Sequence, residues 1–543
     1  MGVRPLMPGK KYRIVFQPDN TIAYIKAGES LADAAAEAGA EIGRHCGGAG
    51  ICGKCRVKTA RGLDPLSPPT QREKDVLGED GLKNGVRLAC CAQIAADGTV
   101  FVIDRAGSEG NKILDGFSRP IEDWRPGSRG CGVSVDIGTT TVVLYLFDLE
   151  AHIEMDKIAF VNPQVRFGDD VISRIAFSSE SKERLCAAQQ TLVKEMNGNI
   201  GLLARRSGIQ IDDITEITIA GNTVMEHLFC GISPKSIGHS PYRPEFLVRP
   251  PFPASDVGIK INKAGMIKML PNVAGYVGAD IVAGAAALNM DTEDTMRLLV
   301  DIGTNNEIVI GNSKGMYCCA AAAGPALEGA RIKYGMRACG GAVESVRVMD
   351  GDIVCRTIGG EAPKGLCGSG LIDAVALALR EGVIGRGGRF NSPDKAAAPL
   401  IGKRMCRAEG GMAQLLLTDG RNPVYLTQKD IREVQLAVGA IKVGIGAMLE
   451  REGITSSRLE EVCLAGAFGN NINIESAVAV GLLPDVDRNR IRSVKNTSGL
   501  GASMALASAD FYARTLDTAR KMQYVELSAL TDFQERFVAA MGF

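Results

Sequence analysis

Four cysteines near the N-terminus restrict the fold more than any other feature of the sequence. Cys46, Cys52 and Cys55 lie in one glycine-rich segment at the spacing C-x5-C-x2-C, and Cys90 follows 35 residues after Cys55. Iron–sulfur clusters need four thiolates that converge on two irons, and a short loop lets three of them wrap one side. Glycines in the loop permit the backbone angles that such wrapping requires. The spacing therefore predicts one [2Fe–2S] cluster held by these four cysteines.

Two alternatives compete with this cluster. The cysteines could be buried thiols or could bind zinc, although zinc usually prefers two C-x2-C pairs and this segment holds one. Cys91 also follows Cys90 directly, and only one of two neighbouring side chains in an extended chain can point at the metal. We favour Cys90 because its context, Arg-Leu-Ala-Cys, resembles that of ferredoxins.

The sequence around the cysteines has the pattern of a small β-grasp domain. Residues 12–17 and 21–26 alternate between apolar and polar side chains like the strands of a hairpin, and residues 99–103 predict a closing strand. Residues 30–33 and 70–73 have the spacing of capping boxes, which predicts that a helix begins at each. The first hundred residues resemble a [2Fe–2S] ferredoxin of the adrenodoxin type.

Composition makes several classes of partner poor first guesses. Lys plus Arg (62) balance Asp plus Glu (62), so no net charge favours nucleic acid or an anionic membrane. No stretch approaches the roughly 18 apolar residues of a membrane span, and the N-terminus lacks the apolar core of a signal peptide. We therefore expect a cytoplasmic protein whose fifteen cysteines are thiols and metal ligands. The four histidines share no spacing and are interpreted as structural.

A second motif occurs twice, 165 residues apart. Each copy is a buried strand, a tight Asp-x-Gly-Thr turn and a second strand. The first turn contains Asp136, Gly138, Thr139, Thr140 and Thr141, and the second contains Asp301, Gly303, Thr304 and Asn305. Free N–H groups, hydroxyls and amides in such turns can grip phosphate, and the aspartates can hold Mg²⁺ through water or orient an attacking water. Two copies in similar context suggest gene duplication, with paired domains facing a nucleotide.

Other segments could complete a nucleotide site. Gly368 and Ser369 precede an apolar helix and are a candidate phosphate or ribose contact. A buried strand near residue 462 ends in a turn against which an adenine could lie, formed by Gly466, Ala467, Phe468 and Gly469. Residues 162–170 and 219–223 could close the first half of the site, and residues 427–430 form a capping box before a long helix.

Residues 131–543 resemble the superfamily of acetate and sugar kinases, heat-shock chaperones and actin. The resemblance implies that ATP with Mg²⁺ is bound between two ribonuclease-H-like domains, which open or close around it. Asp136 to Thr141 then correspond to the first phosphate loop, Asp301 to Asn305 to the second, and Gly466 to Gly469 to the adenosine motif.

The combination of a ferredoxin with this ATPase resembles the reductive activators of corrinoid proteins. The match rests on the cysteine motif, the second phosphate loop, Ala323-Gly-Pro-Ala-Leu-Glu328-Gly, and Leu-Ala-Gly-Ala-Phe-Gly-Asn. The resemblance implies a one-electron reduction of a partner corrinoid protein from Co(II) to Co(I) at the expense of ATP. Larger members carry a further middle domain, which we expect to be reduced or absent here. Asn306 stands where glycine is usual and tolerates the positive φ required.

The expected fold class is α/β multidomain. We predict a β-grasp [2Fe–2S] ferredoxin at residues 1–105, a linker at 106–130, and the two halves of an actin-like ATPase clamp at 131–295 and 296–543. The linker contains the only tryptophan, Trp124, for which packing onto a domain is favoured over contact with a partner.

The predicted catalytic residues are Asp136 and Asp301, which would place Mg²⁺ and water for ATP hydrolysis. The expected partners are a corrinoid protein of a methyltransferase system, such as an O-demethylase, and an external low-potential electron donor. A homodimer is also implied by the resemblance. The Gly-rich segment 320–345, with Glu328 and Arg331, is a candidate contact to the corrinoid protein or a nucleotide loop. Alternatives are an ATP-coupled electron donor to a non-corrinoid enzyme, a redox-regulated small-molecule kinase, and a redox-controlled scaffold.

Overall fold

The computed structural model describes residues 11–17, 21–38, 40, 42, 48, 50, 53, 55–59, 66–83, 85–102, 121, 123, 124, 129–303, 305–420, 422–466 and 472–543. Six predicted site residues and most of the predicted linker lie outside these ranges: Cys46, Cys52, Thr304, Ala467, Phe468 and Gly469. The chain divides into two compact units. One comprises residues 1–108 with 161–192, and the other comprises residues 109–160 with 193–543.

The described N-terminal part is a five-stranded mixed sheet with two helices. Its elements are β1 (Lys11–Gln17), β2 (Thr21–Lys26), α1 (Leu31–Ala38), β3 (Arg56–Thr59), α2 (Gln71–Lys83), β4 (Val86–Leu88) and β5 (Gly98–Val102). The strand order is β2-β1-β5-β3-β4, with β1 parallel to β5 and every other pair antiparallel. The predicted hairpin and closing strand are confirmed, with the closing strand beginning one residue earlier than expected.

Both capping boxes of this domain begin a helix, as predicted. Ser30 Oγ accepts a hydrogen bond from the Asp33 backbone N–H at 3.1 Å, directly before α1. Thr70 Oγ1 accepts from the Glu73 N–H at 3.3 Å before α2, and the Glu73 carboxylate accepts from the Thr70 N–H at 2.9 Å. The core of this domain includes Tyr12, Ile14, Phe16, Ile25, Leu31, Val57, Leu88 and Val100.

The remaining described residues contain two six-stranded sheets, and five strands of each follow the same order. The first contains β6 (Cys131–Ile137), β7 (Thr141–Asp148), β8 (Ile153–Val161), β9 (Ile214–Gly221), β10 (Phe252–Pro253) and β11 (Met266–Met269), in the order β10-β11-β9-β6-β7-β8. The second contains β12 (Arg297–Asp301), β13 (Glu307–Asn312), β14 (Gly315–Ala320), β21 (Glu461–Ala465), β22 (Ile491–Lys495) and β23 (Met522–Tyr524), in the order β22-β21-β12-β13-β14-β23. In each sheet an antiparallel hairpin comes first, the next strand lies beside its second strand, and a later strand pairs parallel to its first strand. The duplication predicted from the two Asp-x-Gly-Thr turns is therefore present in the topology.

Six further strands and eleven helices complete the described elements after residue 130. The strands are β15 (Ala342–Met349), β16 (Asp352–Thr357), β17 (Gly365–Leu366), β18 (Met405–Arg407), β19 (Ala413–Thr418) and β20 (Val424–Thr427). The helices are α3 (Val171–Ser179), α4 (Lys182–Ser207), α5 (Thr223–Phe229), α6 (Ala279–Ala287), α7 (Gly368–Arg380), α8 (Pro399–Arg404), α9 (Gln428–Glu452), α10 (Ile474–Ala479), α11 (Thr497–Ala507), α12 (Ala509–Lys521) and α13 (Phe533–Ala540). The capping box of Thr427 and Asp430 begins α9, as predicted.

The two sheets exchange helices. Helix α6 follows the first sheet in sequence, yet its Ile281 and Val282 pack in one core with Leu299 and Val309 of the second sheet. Helix α11 follows β22 of the second sheet, yet it packs against β6 and β9 of the first. The two helices also contact each other. This exchange brings residues from late in the chain to the carboxyl end of β6.

Trp124 packs as the sequence analysis favoured. Its indole stacks on the His152 ring, with centroids 5.0 Å apart, and lies 5.8 Å from the Phe147 ring. The indole N–H donates to the Ile121 carbonyl at 3.1 Å.

Within the described ranges, every helix is too short or too polar to cross a membrane.

Candidate functional site

Two of the four predicted cluster ligands lie side by side. Cys55 precedes β3 and Cys90 follows β4, and these strands pair antiparallel so that the Ala89 N–H donates to the Cys55 carbonyl at 2.9 Å. The two sulfurs are 3.3 Å apart. Two thiolates bound to one tetrahedral metal at about 2.3 Å would lie about 3.7 Å apart. The pair therefore fits two ligands of one iron, and the partners predicted for them, Cys46 and Cys52, lie outside the described residues.

The neighbouring Cys91 occupies a different position. Its sulfur lies 3.8 Å from that of Cys90, and it contacts the cysteine-rich loop at Gly50. A Cβ built on Gly50 would lie 2.6 Å from the Cys91 sulfur, and Gly50 also has a φ of 73°. Burial raises the pKa of the Cys91 thiol. Because the sulfur beside Cys55 is that of Cys90, the geometry favours the predicted ligand.

A buried ion pair fixes the strand that leads to Cys90. Arg87 donates from Nε and Nη2 to the two carboxylate oxygens of Glu73, at 2.9 and 3.1 Å. Glu73 also accepts from the Leu88 N–H at 3.1 Å. Burial alone would raise the pKa of Glu73, but the hydrogen bonds from Arg87 and the backbone lower it. The pair holds α2 against β4, three residues before Cys90.

The first phosphate loop is a tight turn between β6 and β7. The Gly138 N–H donates to the Thr141 carbonyl at 3.0 Å, and a Cβ on Gly138 would lie 2.6 Å from that oxygen, so the turn needs glycine. Thr139 Oγ1 accepts from the side-chain amide of Asn222 at 2.9 Å. Asn222 is the N-cap of α5 and belongs to the segment 219–223 that was expected to close this half.

The second phosphate loop joins β12 to β13 in the same way. Asp301 ends β12, Gly303 has open space where a Cβ would stand, and Asn305 hydrogen-bonds with Glu307. Asn306 has a φ of 52°, the positive value expected of it. Its buried side-chain amide has no hydrogen-bond partner in the described part of the protein, which fits a polar ligand or water at this loop.

Gly466 brings the predicted adenosine turn to the second phosphate loop. It follows β21 with a φ of 89°, and a Cβ there would lie 2.5 Å from Asp301 Oδ1 and from the Ile302 carbonyl oxygen. Any other residue would therefore collide with the loop. The rest of the turn, Ala467, Phe468 and Gly469, lies outside the described residues.

Four buried carboxyl groups, in or near the two phosphate loops, influence one another through their charges. Burial, together with repulsion from Asp136, raises the pKa of Asp301 to about 7. Burial and the charges of Asp301 and Asp136 raise the pKa of Asp280, and burial with Asp280 and Asp301 raises that of Glu307. Burial also raises the pKa of Asp136, against hydrogen bonds from Ser498 and Asn496. Mutual repulsion of this kind is relieved by a cation.

This donor set fits hydrated Mg²⁺. Among the described residues, no three His, Cys, Asp or Glu side chains converge closely enough to ligate a metal directly. Mg²⁺ keeps most of its waters in nucleotide sites and is held by one or two carboxylates and the phosphates. Asp136 and Asp301 lie at the ends of equivalent strands, and their role in holding Mg²⁺ stays a prediction.

Gly368 and Ser369 lie in the first turn of α7. Ser369 is 4% exposed, and its hydroxyl donates to the Glu344 carbonyl of β15 at 2.9 Å. The next residue, Gly370, packs so closely on β15 that a Cβ would lie 2.1 Å from the Val343 carbonyl oxygen. The observed contacts of this segment hold a helix to a strand, and its nucleotide role stays a prediction.

Sequence reasoning missed three residues of this site. Ser498 Oγ and Asn496 Nδ2 donate to the two carboxylate oxygens of Asp136, both at 2.8 Å, from the start of α11. Asn496 is also the N-cap of that helix, and the cap is the one signal the sequence carries. Asp280 lies in the first turn of α6, where its charge faces Asp136 and Asp301.

Glu328 also belongs to this region. Its carboxylate accepts a hydrogen bond from Thr140 Oγ1 at 2.8 Å, which joins the first phosphate loop to the segment 320–345. Of the two roles left open for that segment, this contact favours the nucleotide loop.

Three family models match the chain in order. The 2Fe-2S iron-sulfur cluster binding domain matches residues 15–95, the RACo middle region matches 131–293, and the C-terminal domain of RACo, the ASKHA domain, matches 295–543. The expectation that a further domain between the linker and the ATPase is reduced or absent stays a prediction. The middle region occupies the residues for which we predicted the first half of the ATPase. Five strands of its sheet follow the same order as five strands of the sheet in the C-terminal domain.

Several known proteins are similar over most of the chain. The corrinoid activation enzyme RamQ of Eubacterium limosum is 36% identical over 434 residues, which cover 79% of this chain and 72% of that protein. The [Co(II) methylated amine-specific corrinoid protein] reductase of Methanosarcina barkeri is 23% identical over 69% of this chain and 70% of its own. A solved structure of a reductive activator for corrinoid,iron-sulfur protein superposes with a TM-score of 0.68 at 30% identity, over 98% of both chains.

Proposed function

The chain belongs to the RACo family of reductive activators of corrinoid proteins, and we propose that it uses ATP to return one electron to a partner corrinoid protein, Co(II) to Co(I). The observation that carries the proposal is that one chain contains both a ferredoxin-type thiol pair and a duplicated sheet of the nucleotide-binding type. This combination superposes on 98% of a solved activator. ATP is not needed for electron transfer down a potential gradient. Coupling to ATP therefore implies that the electron passes to an acceptor of lower reduction potential.

Each part of the chain has a distinct task in this reaction. Cys46, Cys52, Cys55 and Cys90 would hold the [2Fe–2S] cluster, which would supply single electrons. The loops 138–141 and 303–305 would bind the phosphates of ATP, and residues 466–469 the adenosine. Asp136 and Asp301 would hold hydrated Mg²⁺ and place the attacking water, while Ser498 and Asn496 orient Asp136.

The electron balance requires a donor outside the chain. We infer an external low-potential reductant that loads one electron, which passes to Co(II) of the client while ATP and water become ADP and phosphate. We further propose that the client belongs to a corrinoid-dependent methyltransferase system such as an O-demethylase, that the protein is cytoplasmic, and that it forms a homodimer. The names of the similar proteins support a corrinoid client.

Visible spectroscopy under anaerobic conditions tests the proposal. Pre-reduced protein is mixed with Co(II) corrinoid proteins, with and without MgATP, and the Co(I) band should appear only with ATP. The variant Asp301→Asn should keep a reducible cluster but form no Co(I). Cys90→Ser should lose the cluster yet still bind ATP.

Other outcomes identify the alternatives. If no corrinoid protein yields Co(I) although the cluster is reduced and ATP is bound, the client is a non-corrinoid enzyme. If a small hydroxyl or carboxylate compound stimulates ATP turnover and a corrinoid protein does not, the protein is a redox-regulated kinase. Absence of any ATP turnover would leave a redox-controlled scaffold.

A further inference from the structure

The contact between Glu328 and Thr140 joins parts of the chain 188 residues apart. Thr140 lies in the middle of the first phosphate loop, between β6 and β7. Glu328 ends the short 3-10 turn Pro325–Glu328, which comes after the second phosphate hairpin. The carboxylate therefore reaches, from the other half of the nucleotide site, a hydroxyl placed to bind phosphate.

The backbone that follows Glu328 forms a closed loop, here called the 328–336 loop. Gly329 has a φ of 81°, and a Cβ on Gly335 would lie 1.9 Å from the Gly329 carbonyl oxygen, so the two ends of the loop touch. The Lys333 N–H donates to Asp430 Oδ1 at 2.7 Å, and the Met336 N–H donates to the Leu366 carbonyl at 2.9 Å. The loop is thus fixed to α9 and β17, and at its near end Glu328 follows the buried Leu327 and contacts Thr140.

The chemistry of the hydroxyl makes this contact exclusive. A threonine hydroxyl has one hydrogen to donate, and both a carboxylate and a phosphate oxygen can only accept it. A carboxylate and a γ-phosphate beside the same hydroxyl would also repel each other, since both are anions. The Thr140 hydroxyl can therefore donate its hydrogen to Glu328 or to a γ-phosphate, but not to both.

We propose that Glu328 is a specificity-determining residue that distinguishes ATP from ADP. The γ-phosphate takes the hydrogen of the Thr140 hydroxyl, and the Glu328 carboxylate is displaced from it. ADP lacks the group that competes for this hydroxyl and leaves the contact intact. The inference rests on the proposed function only for the binding of ATP.

Calorimetric titration of the full-length protein with Mg²⁺ and either a non-hydrolysable ATP analogue or ADP tests this. Glu328→Gln removes the charge but keeps the shape, so it should bind the ATP analogue about tenfold more tightly. Its affinity for ADP should change less than about twofold. Glu361→Gln is the matched control, because Glu361 is an exposed carboxylate that pairs with Lys364 at 2.9 Å, and it should change neither affinity.

A second variant tests the hydroxyl itself. In a Thr140→Val background, Glu328→Gln should no longer bind the ATP analogue more tightly than the form that keeps Glu328, because the competed hydroxyl is gone. Calorimetric titration of the two forms measures this difference.

Several results would overturn the inference. One is that Glu328→Gln binds ATP and ADP more tightly by the same factor. Another is that Glu328→Gln binds ATP no more tightly, or more weakly, than the wild-type protein, which would mean that the contact supports ATP binding rather than competing with it. If the wild-type protein binds neither nucleotide, the proposed function fails together with this inference. If it distinguishes ATP from ADP as expected yet reduces no corrinoid protein, the role of Glu328 is supported and the proposed client is wrong.

Discussion

Among single residues, Glu73 and Arg87 stand out because both are buried and charged. Their side chains are 0% and 3% exposed, and two hydrogen bonds join them. Removing one partner of such a pair leaves an uncompensated charge and costs about 3–5 kcal/mol. We predict that Arg87→Met destabilises the ferredoxin-like domain by that amount and accelerates loss of the cluster, measured by urea unfolding and by the decay of visible absorbance.

The pair of Lys83 and Glu79 on the same helix is the control. It spans 3.2 Å, but both side chains are largely exposed, at 70% and 88%. Exposed pairs contribute about 0–1 kcal/mol, so Lys83→Met should leave unfolding and cluster decay nearly unchanged. Equal effects of the two substitutions would mean that burial does not set the strength of the Arg87 contact.

His227 predicts a pH dependence of stability. Burial lowers its pKa from the usual 6.5, and the ring is held neutral between the Thr223 carbonyl on Nδ1 (2.7 Å) and the Glu245 N–H on Nε2 (3.0 Å). The unfolded chain therefore binds a proton at His227 below pH 6.5, whereas the folded protein binds it only at a lower pH. Stability contributed by neutral His227 is present above pH 6.5 and is lost as pH falls, by up to about 1.4 kcal/mol per unit.

His227→Gln isolates this effect, because glutamine offers a donor and an acceptor but does not titrate. The variant loses the stacking on Phe246, so it should be less stable at pH 7.5. Its urea midpoint should nevertheless fall less steeply between pH 7 and pH 5 than that of the wild-type protein. Parallel curves would show that His227 is not the titrating group.

At the scale of helices and strands, local signals predicted the elements but not their partners. Capping boxes and the two Asp-x-Gly-Thr turns gave the starts of α1, α2 and α9 and both phosphate hairpins, because these depend on neighbours within a few residues. The exchange of α6 and α11 between the sheets was not predicted. Helical periodicity shows which face of a helix is buried, and it does not name the sheet that buries it.

The crossing of α6 and α11 gives a test at this scale. A Cβ on Gly501 of α11 would lie 2.4 Å from the Ala283 carbonyl oxygen of α6. We predict that Gly501→Ala separates the helices, lowers the free energy of unfolding by about 1–3 kcal/mol, and weakens ATP binding, because α11 carries Asn496 and Ser498 to Asp136. Thermal unfolding and nucleotide titration measure the two effects.

Gly446 in α9 is the matched glycine. It is exposed, and nothing lies within 4 Å of its added Cβ. Gly446→Ala should therefore stabilise the protein by about 0.5–1 kcal/mol through the backbone entropy of the unfolded chain. If both alanine variants were destabilised alike, close packing at Gly501 would not be the cause.

For the whole molecule, the sequence revealed the parts of the nucleotide site that lie in motifs and missed those supplied by distant chain. Asp136 and Asp301 were predicted because each ends a repeated strand–turn unit. Ser498 was not, since it reaches Asp136 from 362 residues away in a helix whose sequence shows only a cap. Such contacts depend on the tertiary arrangement of the sheets, which no local pattern encodes.

The last prediction concerns how the whole chain unfolds. Among the described residues, the core of the ferredoxin-like domain is formed between Tyr12 and Val100, and the other cores contain later residues. Separate cores unfold as separate cooperative units, so calorimetry should resolve two transitions. MgATP at a hundred times its dissociation constant should stabilise the unit that binds it by about 2.7 kcal/mol and raise only one transition.

Variants assign the two transitions. Arg87→Met should lower the transition that MgATP leaves unchanged, and Gly501→Ala should lower the one that MgATP raises. A single transition that responds to both substitutions would contradict the independence of the cores. It would also mean that nucleotide binding stabilises the cluster domain directly, so that ATP could act on the electron donor as well as on the client.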